Sequence, residues 1–143
     1  MTSTLRIGFI STRFAGTDGV SLETAKWAAA LERMGHACFY FCGVCDRPAE
    51  RSFIIPEAFY LHPAVDAITK AVYAGAWGRL HEQDEDLQRL HQDYFSPFIR
   101  PAQVSRQVDA LKAHLKQGLY EFARRFELHA LITENALTIP INI

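Results

Sequence analysis

A glycine-containing turn near the N-terminus has residue types that can bind a ligand. Gly16, Thr17, Asp18, Gly19 and Val20 follow a strand-like segment and open a helical pattern. Glycines let the backbone approach a ligand closely, and the first N–H groups of a helix favour an anion such as a phosphate. The turn lacks both the dinucleotide fingerprint and the P-loop lysine. The competing interpretation is a plain tight connection between strand and helix.

A second polar turn follows the last strand-like segment, where Glu134 and Asn135 come directly after Thr133. Ligands in open parallel sheets bind beyond the carboxyl ends of the strands. Both turns are therefore predicted to line one crevice, with Glu134, Asn135 and Thr138 hydrogen-bonding the hydroxyl groups of a polar substrate. The alternative is that Asn135 or Thr138 only caps a following helix.

Other reactive residues give weaker signals. Cys42 and Cys45 form a C-x-x-C pair, but no helix starts beside it and no second pair exists for zinc, so we expect coincidental spacing. The six histidines show no metal-ligand spacing, and we expect no metal site and no cofactor. A minor alternative places Trp77 or Tyr94 on a sugar-stacking surface.

The elements that position these turns read as a parallel βαβ unit over residues 5–45. Strands are predicted at Leu5–Ser11 and Ala37–Cys42. Between them a helix capped by Asp18 or Ser21 ends at Gly35. We expect its core-facing stripe to contain residues at steps of three and four: Val20, Thr24, Trp27, Leu31 and Met34.

Residues 46–127 are predicted to be a mostly helical insertion. Phe53–Ile55 and Phe59–Leu61 indicate an edge hairpin or loop strands around Pro56. Shorter helices are expected after Pro63 and around residues 80–94. The strongest periodicity, from Val104 to Phe126, predicts a long helix despite Gly118, which costs about 1 kcal/mol relative to alanine.

Residues 128–143 are predicted to hold a buried strand, Leu128–Thr133, and the start of a further element. The segment 136–143 is apolar and uncharged, whereas polypeptide termini are usually polar and frayed. We therefore expect residues 1–143 to be one Rossmann-like α/β domain with a parallel sheet and a helical insertion, forming an incomplete half of a larger fold. The alternative is a compact domain whose apolar tail docks on the long helix.

Composition restricts the class of protein. Fifteen basic and sixteen acidic residues give a net charge of -1, which argues against nucleic-acid binding. No apolar run approaches the roughly 20 residues that cross a bilayer, and no signal peptide is evident. Three cysteines make a disulfide framework improbable, so we expect a cytoplasmic protein.

The placed motifs resemble the N-terminal domain of GT-B-fold glycosyltransferases, in particular the family-four (group 1 type) retaining enzymes. Their pattern of strand, Gly-Gly-Val-like turn, helix, Gly-His and strand corresponds here to Ile7–Ser11, Asp18-Gly19-Val20, Ser21–Met34, Gly35-His36 and Ala37–Cys42. Asp18 stands where many members have a second glycine. No histidine is present near Thr133 and Glu134, where members often have one.

The resemblance implies a two-domain transferase that uses a nucleotide-sugar donor and no bound metal. This chain would form the acceptor side of the cleft, with Gly16, Asp18, Gly19 and Val20 near the transferred sugar. The carboxylates and nucleotide-binding residues of the family belong to a C-terminal domain, so no catalytic residue is assigned here. We expect the chain to be inactive alone and to self-associate. The alternatives are a non-catalytic module for a phosphorylated ligand or protein partner, and an assembly domain built on the long helix.

Overall fold

The computed structural model describes residues 3–69, 71 and 102–135, and within them a four-stranded parallel sheet is the central element. The strands are β1 (Arg6–Ile10), β3 (Ala37–Cys42), β5 (Ser52–Ile54) and β6 (Ala130–Thr133), in the order β5-β3-β1-β6. The two inner strands are almost continuously apolar because parallel strands inside such a sheet are covered on both faces. The chain therefore has the Rossmann-like α/β fold that its sequence predicts.

Helix α1 (Gly19–Arg33) connects β1 to β3 and covers one face of the sheet. Its buried residues are Ser21, Thr24 and Ala28, and Val20 and Leu31 pack against the same core, so three of the five predicted stripe residues face the sheet. Trp27 and Met34 are 54% and 66% exposed, so that part of the prediction is wrong. The prediction also left out Ser21 and Ala28, whose small side chains let the helix lie close to the sheet. We call the cluster under this helix the α1-side core: Ile7, Phe9, Phe14, Ala28, Cys38, Tyr40 and Cys42.

Helix α3 (Ala102–Arg125) covers the opposite face, as the periodicity predicts. The buried cluster beneath it contains Phe39, Phe41, Ile55, Ala58, Phe122 and Phe126. Gly118 is the point of closest approach, because a Cβ atom there would lie 2.0 Å from Cδ1 of Ile55. Glycine has a low helical propensity, but at this position it allows the helix to pack closely against Ile55.

The middle and end of the chain agree with prediction in part. Residues 52–54 form an edge strand parallel to β3, which fits the predicted loop strand and not the hairpin, whereas residues 59–61 form a turn and no strand. Residues 63–69 are helical, as expected, and form α2, with Val65 and Ile68 buried. Strand β6 is not buried, since Leu131 is 53% exposed at the edge beside β1.

Several predictions concern residues outside those that the structure describes. They are the helix around residues 80–94, the alternative roles of Trp77 and Tyr94, Thr138, and the apolar segment 136–143.

Candidate functional site

The carboxyl ends of β1 and β6 lie side by side and form the base of the candidate site. Ile10 pairs with Thr133, so the residues after each strand leave the sheet together. The Glu134 N–H donates to the Ile10 carbonyl at 2.8 Å, and the Ser11 hydroxyl donates to the Glu134 carbonyl at 3.1 Å. Asn135 follows in the left-handed region (φ 56°), which asparagine tolerates better than most residues. The second polar turn is thus fixed to the end of β1.

An open crevice of about 210 Å³ lies above these strand ends. Its lining residues are Ser11, Thr12, Arg13, Asp18, Val20, Tyr60, Glu134 and Asn135. The structure therefore brings together Asp18 and Val20 from the first predicted turn with Glu134 and Asn135 from the second. Gly16, Thr17 and Gly19 are not among the lining residues, and Thr138 lies outside the described residues.

Asp18 organises the first turn because it is the N-cap of α1. Its Oδ1 accepts the Ser21 N–H at 3.0 Å, and its Oδ2 lies 2.7 Å from the Ser21 hydroxyl and 3.0 Å from Nη2 of Arg13. Partial burial opposes ionisation of this carboxyl, but the bonds from Ser21 and Arg13 outweigh it and hold the pKa of Asp18 below its usual value. The prediction that Asp18 or Ser21 caps the helix is confirmed, with Asp18 as the cap.

A two-stranded parallel ribbon holds the glycine turn against the sheet. It consists of β2 (Arg13–Phe14) and β4 (Val44–Cys45). Gly16 has a positive φ of 79°, and its N–H donates to Oδ2 of Asp46 at 2.8 Å. This N–H is therefore already bound and does not face a ligand. The expected phosphate cradle is reduced to the first N–H groups of α1, those of Gly19 and Val20.

Four lining residues were missed by the sequence analysis: Ser11, Thr12, Arg13 and Tyr60. The first three directly follow β1, and the rule that ligands bind at carboxyl ends could have indicated them. Tyr60 belongs to the segment after β5, and no local pattern links that segment to the crevice. Its position depends on the parallel pairing of β5 with β3.

The charge of the crevice is acidic rather than basic. Among the described residues that line it, Asp18 and Glu134 are acidic and Arg13 is basic. The guanidinium of Arg13 is already paired with Asp18, at 3.0 Å. A phosphate would therefore meet more negative than positive charge, whereas hydroxyl groups would find carboxylate acceptors.

The described residues contain no group of three or more side chains suited to hold a metal ion. Two of the described histidines join distant segments, because Nδ1 of His36 and Nδ1 of His129 accept the N–H groups of Leu5 and Arg6. His114 lies 3.4 Å from Glu57 on the surface. In the part of the chain that the structure covers, no helix has the length and apolar character needed to cross a membrane.

Comparisons with protein-family models, curated proteins and solved structures gave no match for this chain. The geometry and chemistry of the crevice therefore carry the functional interpretation.

Proposed function

We propose that the crevice binds a neutral, hydroxyl-rich ligand such as a sugar, and that the chain supplies the acceptor side of a glycosyltransferase. The observation that carries this proposal is the pair of carboxylates, Asp18 and Glu134, on two turns that meet at the carboxyl edge of the sheet. The Glu134 carboxylate can accept hydrogen bonds from hydroxyl groups, whereas Asp18, whose oxygens already accept from Ser21 and Arg13, contributes mainly negative charge. Tyr60 adds an aromatic ring and Asn135 an amide, which together suit the apolar face and the polar rim of a sugar ring.

The size of the crevice supports a half-site. Its volume of about 210 Å³ lies below the roughly 300–1,000 Å³ of complete small-molecule sites. A volume of this size suits a single sugar ring rather than a whole nucleotide-sugar. The resemblance to GT-B enzymes implies that a second domain holds the donor nucleotide, and the proposal assigns the leaving diphosphate to that domain. The chain alone is then expected to release no nucleoside diphosphate from nucleotide-sugars.

A binding module for a phosphorylated ligand is the second candidate. Arg13 and the N–H groups of Gly19 and Val20 favour it, because within the described residues no hydrogen bond occupies these two N–H groups. It requires the Arg13 guanidinium to leave Asp18, or to serve both groups. The negative charges of Asp18 and Glu134 oppose it, so we rank it below the neutral ligand.

The test is a titration of the isotope-labelled chain, followed by amide NMR shifts, with two methyl glycosides, inorganic phosphate and a sugar phosphate. The glycosides are expected to shift residues 11–20 and 134–135. Glu134→Gln should weaken this binding, whereas Glu121→Gln, an equivalent change on the exposed face of α3, should leave it unchanged. Shifts with phosphate but not with the glycosides would support the second candidate. No shift with any probe would contradict both.

A further inference from the structure

The C-x-x-C pair has a geometry that its sequence did not indicate. Cys42 ends β3 and Cys45 lies in β4, with Gly43 forming the bend between them. The Gly43 N–H donates to the Thr12 carbonyl at 3.0 Å, which turns the chain out of the main sheet. Because of this bend both sulfur atoms face the same side: Cys42 belongs to the α1-side core, and Cys45 packs against it. The interaction between the two thiols raises the pKa of Cys42 and lowers the pKa of Cys45.

The surroundings of Cys45 stabilise a thiolate without the helix N-terminus that the sequence analysis required. Oγ of Ser52 lies 3.4 Å from Sγ of Cys45. The Ser52 hydroxyl donates to the Pro48 carbonyl at 2.9 Å and can rotate toward a negatively charged sulfur. The backbone N–H and the positive charge of Arg47 act on the same sulfur. Cys42, Ser52 and Arg47 therefore supply three donors or charges around one atom.

The two cysteines differ in access. Cys45 is half-buried, so a small reagent can reach its sulfur, whereas Cys42 is 0% exposed behind it. Cys38 is also 0% exposed and lies four residues before Cys42 on the same strand, about 13 Å away at the usual rise per residue. That separation is too large for a disulfide between Cys38 and Cys42. The pair that can react is Cys42 with Cys45.

We propose that Cys45 and Cys42 are a redox-active dithiol that reacts with low-molecular-weight disulfides of the glutathione class. The Cys45 thiolate attacks one sulfur of the reagent, which forms a mixed disulfide on Cys45 and releases one reagent thiolate. Cys42 then attacks Sγ of Cys45, and its proton passes to the reagent sulfur that leaves Cys45. A Cys42–Cys45 disulfide forms, the second half of the reagent leaves as a thiol, and two electrons have passed from the protein to the reagent. This inference does not depend on the proposed sugar site.

The experiment treats the folded full chain with oxidised glutathione near neutral pH and follows it by intact mass and fragment-ion mass spectrometry. The expected product has lost two hydrogen atoms, carries no glutathione, and has Cys42 joined to Cys45 while Cys38 remains a free thiol. An earlier, transient species should carry glutathione on Cys45. A wild-type chain that does not react, or that keeps glutathione on Cys45 beside a free Cys42, would overturn the proposal.

Three serine variants separate the roles. Cys45→Ser is expected to lose the reaction, and Cys42→Ser should stop at the mixed disulfide. Cys38→Ser, the matched control, should react at the wild-type rate. Reaction of Cys45→Ser at the wild-type rate would refute the assignment of the attacking sulfur. Far-UV circular dichroism identifies any variant that does not fold. In that case the order in which species form in the wild-type time course shows which sulfur attacks first.

Discussion

Replacement of Asp18 tests whether the first turn is held by its helix cap or by its ion pair. Asp18→Ala removes the cap, worth about 1 kcal/mol. It also removes the partly exposed ion pair with Arg13, worth up to about 1 kcal/mol. The Ser21 hydroxyl, which is fully buried, keeps only the Ala15 carbonyl at 3.4 Å, at a further cost of about 1 kcal/mol. We expect the free energy of unfolding to fall by about 2–3 kcal/mol for Asp18→Ala.

Asp18→Asn is the matched control because its side-chain oxygen still accepts the Ser21 N–H. It should cost about 1 kcal/mol, the contribution of the charge. The assay is urea unfolding followed by far-UV circular dichroism. A shift of the midpoint reports a change in stability where the denaturant slope is the same for the variant and the wild type. If Asp18→Ala unfolds at the wild-type midpoint, the cap does not stabilise α1 and the reasoning fails.

Acid supplies an independent check on the same side chain. The folded pKa of Asp18 lies below its unfolded value, so its ionised form stabilises the fold above the unfolded pKa, and this contribution disappears as pH falls through the folded pKa. The advantage of the wild type over Asp18→Asn should therefore be full at pH 7 and shrink below about pH 4. An advantage that stays constant into strong acid would show that charge is not its source.

Three further changes have calculable outcomes. Gly118→Ala should lower the free energy of unfolding by about 1 kcal/mol, because the clash with Ile55 outweighs the gain in helical propensity; a higher urea midpoint would contradict this. Phe122→Ala empties a fully buried site and should cost about 3–5 kcal/mol in the same assay, and a loss below that of Gly118→Ala would be unexpected. Iodoacetamide should alkylate Cys45 at a lower pH than an ordinary thiol, because the interaction with Cys42 lowers the pKa of Cys45. Cys38, whose pKa burial raises to about 11, should remain unreacted. A Cys45 rate that titrates near an ordinary thiol pKa of about 8.5 would refute this prediction.

The sequence predicted the inner part of the fold well because the signals there are local. Strand β3 begins and ends where its apolar run does, at Ala37 and Cys42. The cap and the end of α1 follow from single residues with strong conformational preferences, Asp18 and Gly35. The contact face of α1 was predicted only in part, because the small residues Ser21 and Ala28 pack against the sheet and a search for large apolar side chains does not find them.

The remainder depends on pairings between distant segments. The ribbon of β2 and β4 is two residues long on each side, too short for any periodicity to indicate. The position of β5 beside β3 cannot be predicted without the order of the strands in the sheet. The position of Tyr60 at the crevice depends on this pairing. The shared crevice of Asp18 and Glu134 was predicted, but the pairing of Arg13 with Asp18 was not. The ligand of the crevice stays a prediction.

The order of the strands has a consequence for how the chain acquires its structure during synthesis. Strand β1 pairs with β3 across a connection of ordinary length, but its other neighbour, β6, is more than a hundred residues away along the chain, with Ile7 opposite Ala130. While the ribosome produces the intervening residues, one side of β1 has no native hydrogen-bonding partner, and such an open edge invites intermolecular pairing. Completion of the sheet thus depends on a late, long-range closure, which favours slow folding and a nascent chain that benefits from chaperone protection.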